Sequence, residues 1–338
     1  MKKSRALIVI LCLALMLGCL AGCGTKKEYP SNPITIMVGF AAGGSVDLLN
    51  RAIAVPMEKE LGVKVNVSNV QGANSGTAAL EVLGKDHDGY NWFGTANGVA
   101  SLAAMGAAET TVSDWTFFMI GGTTGVLSVR EDSPYNTVEE LLDGIRAKNG
   151  DFMMGAASAG TPWHVQAIML GNFANAPFTF VPYGGSNPSI LACLNGEVEA
   201  VLTGLSEQAE FLAAKKLRPL AMIDMNTVDV PGYGPIPSIV ETVPEMADVI
   251  PNLVQFNCFA LPADTDPAII EKVTAAFKVA MQSDEIQSFC AENYITPTGI
   301  YGDEANAVAK QMESIYSWSL YDLGVAPNSP ETYGIPRP

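Results

Sequence analysis

The sequence predicts an α/β fold of two lobes, each a mixed sheet flanked by helices, with a ligand cleft between them. Three observations lead there. Apolar runs of strand length alternate with helical stretches through most of the chain, the pattern of α/β layers. The chain has 338 residues, 48% of them hydrophobic, and that exceeds what one core usually supports. Two strand-to-helix turns rich in small residues, at 41–45 and 155–161, lie in different halves of the chain and suit a shared cleft.

In chain order, residues 1–22 are expected to be an export signal. Lys2, Lys3 and Arg5 form a positive start, and residues 6–17 form an apolar run too short to span a membrane. The run ends in Leu20-Ala21-Gly22-Cys23, small residues before a cysteine, the arrangement that a lipoprotein signal peptidase cuts before the thiol is acylated. Cys23 is therefore the expected mature N-terminus and lipidation site. Cys19 also follows a glycine, but Met16 and Leu17 suit the peptidase less well. An ordinary secretory cut nearby is the alternative. Residues 23–32 then read as a polar tether, and nothing after residue 23 approaches a transmembrane run. The protein is expected outside the cytoplasm, in a periplasm or at a cell surface, held to the membrane by its lipid.

Residues 34–40 carry Ile34, Ile36, Met37, Val38 and Phe40, the near-continuous apolar run of a strand buried on both faces. The loop Ala41-Ala42-Gly43-Gly44-Ser45 follows, and Leu48, Leu49, Ala52 and Ile53 mark a helix from Val46 with Ser45 placed to cap it. Further strands are predicted at 63–67, 91–94, 117–121 and 126–131. The spacing Thr137-x-x-Glu140 makes a capping box for a helix over 138–148. Strands at 152–155, 178–181 and 200–203 and helices at 162–173 and 188–195 are predicted for the second lobe. Residues 230–237, rich in Pro and Gly, are expected to be an irregular loop. A strand at 255–261 then returns to the first lobe, and Asp266-Pro267 opens a helix. Lobe one is thus expected at 33–127 and 258–338, ending in a loosely packed Pro-rich tail from Ala326, with lobe two at 128–257.

The formal charge is −16, and removal of residues 1–22 takes away three positive charges and no negative ones, leaving −19. Such a surface argues against nucleic-acid binding, which needs clustered Lys and Arg. After Cys23 only Cys193, Cys258 and Cys290 remain, an odd number without zinc-ligand or redox spacing, so neither a disulfide framework nor a metal is expected. With two histidines and no Gly-x-Ser-x-Gly, His-Glu-x-x-His or Gly-Lys-Ser/Thr motif, no enzyme site or cofactor site assembles from recognisable parts. A phosphate-binding enzyme using Gly43-Gly44-Ser45 is the enzymatic alternative.

The chemistry is expected in the small-residue turns. Glycines let a ligand approach the backbone, and the unpaired N–H groups of a helix start, with the helix dipole, favour an anion. Phe40 to Asp47 supply one such turn, Gly155 to His164 a second, and Tyr183-Gly184-Gly185-Ser186 a third. Two of them facing one cleft would grip a carboxylate without an arginine. Phe40, Ala42, Gly43, Gly44 and Ser45 are candidate contacts in the first turn, and Ser158, Gly160 and Thr161 in the second, with Tyr183 and Gly184 in the third. Several side chains have two readings. Phe40 is an apolar wall for the ligand or core packing; Asp47 is a contact or a dipole-stabilised cap. Asn97 is an amide donor or a turn residue, and His164 is a contact or a brace for its helix.

The run Tyr29-Pro30, Pro33-Ile34, Phe40-Ala41-x-Gly43-Gly44-x-x-Asp47, Asp88-Gly89-Tyr90, Gly160-Thr161-Pro162-x-His164 and Val181-Pro182-Tyr183-x-Gly185 resembles the substrate-binding receptors of tripartite tricarboxylate transporters, over residues 29–300. The resemblance implies a periplasmic-binding-protein fold of type II that closes over small organic acids: di- or tricarboxylates, aromatic acids or amino acids. It implies that the first glycine loop holds one carboxylate through main-chain donors and waters while the Gly-Thr-Pro-x-His segment meets the other end. It also implies a monomer that hands its solute to membrane permease subunits. Two departures stand out: Ala42 replaces a common proline, and Thr203-Gly204 stand where the family often has an acidic or amide residue, which makes Thr203 a candidate for ligand selection. A sensor that presents the same solute to a signalling receptor fits the same residues.

Overall fold

The computed structural model describes residues 28–250 and 255–338. The expected signal, Cys23 and most of the tether lie outside the described residues.

From Asn32 onward the chain forms one compact unit containing two large sheets and a two-stranded hairpin. The first is built from β1 (Ile34–Val38), β2 (Val65–Asn69), β3 (Asn91–Ala96) and β4 (Trp115–Gly122), with α1 (Ser45–Leu61) and α2 (Gly76–Leu83) between them. The chain then passes to a second sheet through Thr123 and Thr124. There β5 (Gly125–Arg130), α3 (Val138–Lys148), β6 (Met153–Gly155), α4 (Pro162–Phe173), β7 (Thr179–Val181), α5 (Ser186–Asn195), β8 (Ala200–Gly204), α6 (Leu205–Ala213) and β9 (Leu217–Ile223) follow in order. A short hairpin, β10 (Val228–Val230) and β11 (Gly234–Ile236), comes next. The remainder is β12 (Asn257–Pro262), α7 (Pro267–Met281), α8 (Asp284–Glu292), β13 (Thr296–Tyr301) and α9 (Gly302–Asp322).

The first sheet has the order β13-β4-β12-β3-β1-β2, and the second β7-β6-β8-β5-β9. Both are mixed. β1 pairs in parallel with β2 and β3, whereas β12 inserts antiparallel between β3 and β4. In the second sheet β6 is parallel to β7 and β8, and β5 runs antiparallel to β8 and β9. The late strand therefore belongs to the middle of the first sheet. Its Phe259 stacks against Trp92 of β3 (centroids 4.6 Å apart) and Phe118 of β4 (4.9 Å), and Phe277 of α7 closes the group edge-on. Aromatic pairs of this kind contribute about 0.5–1.5 kcal/mol each beyond their area.

Three expectations are corrected. Ser45 is the first helical residue of α1, and the cap is Gly44, with extended backbone and no side-chain hydrogen bond. Residues 230–237 hold the hairpin in place of an irregular loop, paired at Val228–Ile236 and Val230–Gly234; strands of three residues are too short to show alternation. The segment after Ala326 is firmly packed. Ala326, Pro330 and Ile335 are buried, the Trp318 indole N–H donates to the carbonyls of Ile335 and Pro336, and Arg337 stacks on Trp318 while pairing with Asp322.

Candidate functional site

Four helices begin at one place between the two sheets. The first turn of α1 brings Gly44, Ser45 and Val46, α4 brings Thr161, Pro162 and Trp163, α5 brings Gly185 and Ser186, and α6 brings Glu207. With Phe40, Ala41, Ala96, Ala157 and Gln255 they line a cavity of about 20 Å³, room for roughly one water molecule. No basic side chain lines it. Each helix start has N–H groups without an intrahelical partner, and the four dipoles point their positive ends inward. Such an enclosure favours negative charge by geometry alone.

A strand ending at Val38 cannot enter α1 directly, and the turn between them needs a residue with positive φ. Gly43 supplies it at φ +81°, where a side chain would be strained. Its N–H donates to Asp47 Oδ2 at 3.0 Å, and Asp47 Oδ1 accepts from Asn69 Nδ2 at 2.8 Å and Arg51 Nε at 3.0 Å. Burial would raise the Asp47 carboxyl, but the bonds from Arg51, Gly43 and Asn69 outweigh it and hold the group below the ordinary carboxylate range. Asp47 is thus the clip that shapes the loop. It does not line the cavity.

In the second sheet's half, the Thr161 hydroxyl donates to Ser158 O at 2.7 Å and accepts from His164 N–H at 3.4 Å, capping α4. His164 Nδ1 accepts from Gly160 N–H at 2.9 Å, and the ring stacks on Phe180. Burial lowers its pKa to about 4, so the ring is neutral near pH 7. It lines a separate groove of about 430 Å³ with Phe178, Phe180 and Leu323. Of its two readings, bracing is the one the contacts supply.

Of the expected contacts, Phe40, Gly44, Ser45 and Thr161 line the cavity. Ala42, Gly43 and Gly184 are exposed at its rim. Asn97 lies behind the wall, its Oδ1 accepting from Phe256 N–H at 2.6 Å and its amide donating to Tyr316 OH at 3.3 Å. Ser158 donates to Tyr183 O at 3.0 Å and ties two loops together, and buried Thr203 accepts from Gln208 at 3.0 Å. None of these faces the cavity; all hold its walls.

Two polar lining residues, Glu207 and Gln255, were missing from the sequence reading. Glu207 is three residues beyond its helix cap Gly204, whose N–H it accepts at 2.6 Å; a glutamate at the third helical position, placed to reach back to the cap N–H, was the available signal. Its other oxygen accepts the Ser45 N–H across the cleft at 3.1 Å, and the nearby Ser45 and Ser186 side chains favour its charged form. Burial pushes its pKa up against these bonds. Gln255, 3% exposed, lies 3.5 Å through Nε2 from Ser45 Oγ, while its Oε1 finds no protein partner. Further bonds close the cleft: Ala41 N–H to Gly184 O at 3.2 Å and Ser101 Oγ to Gly160 O at 2.9 Å.

Comparison with known proteins agrees with this architecture. The chain is 28% identical over 331 residues to the UPF0065 protein in the gbd 5′ region of Cupriavidus necator, covering 96% of this chain and 97% of that one. Its fold matches the structure of R. palustris Rpa4515 with adipate at a TM-score of 0.81 and 22% identity, over 89% of this chain and all of the other. The structure of MatC (Rpa3494) from Rhodopseudomonas palustris with bound malate matches at 0.76 and 19% identity, over 86% of this chain and all of that one. These are two-lobe type II folds, like the one described above. Residues 49–314 match the model of the tripartite tricarboxylate transporter family receptor, TctC, and on that match this chain belongs to the TctC family of solute-binding receptors.

Proposed function

We propose that this chain is an extracytoplasmic solute-binding lipoprotein that captures a small organic acid between its lobes and delivers it to the permease subunits of a tripartite tricarboxylate-type transporter. The observation that carries the reading is the convergence of four helix N-termini on a cavity without a basic side chain. Such a site holds a carboxylate through main-chain N–H groups and dipoles. Ser45 and Ser186 add hydroxyl donors, Phe40 and Trp163 give apolar walls, and Gly44 and Gly185 let the solute reach the backbone. Adipate and malate in the two Rhodopseudomonas structures support an aliphatic dicarboxylate as the first class to try; tricarboxylates, aromatic acids and amino acids come next.

Residues 33–127 and 258–338 would act as one jaw and 128–257 as the other, working as a monomer. The export signal at 1–22 and acylation at Cys23 complete the reading; Cys23→Ser is expected to move the protein from the membrane to the soluble extracytoplasmic fraction. Among the described residues no helix is long and apolar enough to cross a membrane. The deciding experiment is a thermal-shift screen of the chain lacking residues 1–23 against carboxylates, amino acids, sugars and phosphoesters. A solute that binds only the folded state raises its melting temperature. A shift confined to one carboxylate class is the expected outcome, and stabilisation only by sugars or phosphoesters overturns the reading.

A further inference from the structure

The cavity between the lobes is lined by a carboxyl of the protein's own. Glu207 leaves the first turn of α6 and puts its two oxygens where the helix starts converge. One accepts from Ser45 N–H at 3.1 Å, on the opposite lobe, and the other from Gly204 N–H at 2.6 Å. Donors from α1 and the α6 cap thus meet on one carboxyl, and the nearby hydroxyls of Ser45 and Ser186 favour its charged form. Ser45 and Glu207 are 162 residues apart in sequence, so this is a tertiary arrangement and more than local capping. A second polar group lines the same cavity. Gln255 is 97% buried, lines the same cavity and is within 3.5 Å of Ser45 Oγ, yet its Oε1 has no protein partner. Buried amide oxygens are normally paired.

We propose that Glu207 occupies the carboxylate position of the solute site, bridging the two lobes, and that a solute carboxylate binds by displacing it from the Ser45 N–H. Three consequences follow from the charges. Both carboxylates cannot share the donors, because two like charges in one dehydrated pocket without a basic residue repel strongly. The solute must therefore bring enough further contacts to outcompete a tethered group, whose effective concentration is high. A small monocarboxylate offers the same two oxygens and little else, so it does not displace Glu207. Residue 207 thereby sets the smallest acid the protein retains.

The proposal rests on the carboxylate reading of this cleft, but its test does not need the solute to be known. Replacing Glu207 by Ala removes a CH₂–COO⁻ fragment, and free acetate restores those atoms. In E207A, sodium acetate is expected to raise the melting temperature by about 2 °C or more over sodium chloride of equal ionic strength, with no acetate-specific change in the wild type. E207Q, whose amide still fills the position, is expected to behave like the wild type. No acetate-specific gain in E207A, or an equal gain in the wild type, overturns the proposal. If E207A does not fold, small-angle scattering of the solute-free wild type decides: a closed profile is expected, and an open one overturns it. A solute screen that finds no carboxylate ligand would remove the transport reading while leaving an acetate rescue in place, so the two failures are distinguishable.

Discussion

Asp47 and Glu207 show how two carboxylates near one helix start do opposite work. Asp47 folds back on Gly43, Asn69 and Arg51 and is consumed in shaping the loop, whereas Glu207 reaches across to the N–H beyond it. A third acid, Glu313 on α9, has no such compensation. It is 6% exposed and accepts the Val112 N–H at 2.9 Å, and burial, with Asp114 nearby, pushes its pKa up to about 7. A raised folded value means that between pH 4.5 and 7 the folded state keeps a proton the unfolded chain has released. Stability is therefore lost as pH rises through that window, by up to about 3 kcal/mol. Glu313→Gln keeps an acceptor for Val112 and has no charge to desolvate. Melting curves from pH 5 to 8 are expected to fall more steeply for the wild type than for this variant; parallel curves would show that Glu313 is not the group responsible.

At the scale of elements, the cleft works because helix starts approach one another closely, and glycine permits that. A Cβ on Gly185 would lie 3.2 Å from Ala41 Cβ and 3.3 Å from Ala41 N, tighter than ordinary contact between lobes. Gly185→Val is expected to fold, since its neighbours on the same lobe leave space, and to hold the cleft ajar. Its scattering profile should be more extended than the wild type's, and solutes that stabilise the wild type should lose their effect; a closed profile would show that the lobes yield at this point. Helices and their caps were the most legible part of the sequence. α3 and α4 begin after Thr137 and Thr161 and end where the apolar spacing ends, because capping is a local property of a few residues. The hairpin at β10 and β11 escaped notice because its strands are too short for a period. The C-terminal segment escaped because what fixes it, the Trp318 indole against two carbonyls, is a contact between distant residues without periodic trace. The candidate site divides in the same way. Gly44, Ser45 and Thr161 announce themselves as loop-to-helix residues, but Glu207 and Gln255 join them only through tertiary approach.

For the whole molecule, an acidic protein that takes up acids must concentrate attraction locally. The net charge of −16 repels an anion at a distance, and four inward-facing dipoles in a closed, poorly hydrated cavity reverse that sign over a few ångströms. The closed cavity has a kinetic meaning as well. With about 20 Å³ inside and bonds between Ala41 and Gly184, Ser101 and Gly160, and Ser45 and Glu207 across the mouth, the closed form has no vacancy for an incoming acid. Uptake must wait for those bonds to part, so the molecule behaves as a door with its own timing. In stopped-flow fluorescence, read through the buried Trp163 beside the cavity, the binding rate is expected to stop rising with solute concentration and level off at the opening rate. A rate that climbs linearly to high concentration would mean that the door stands open most of the time.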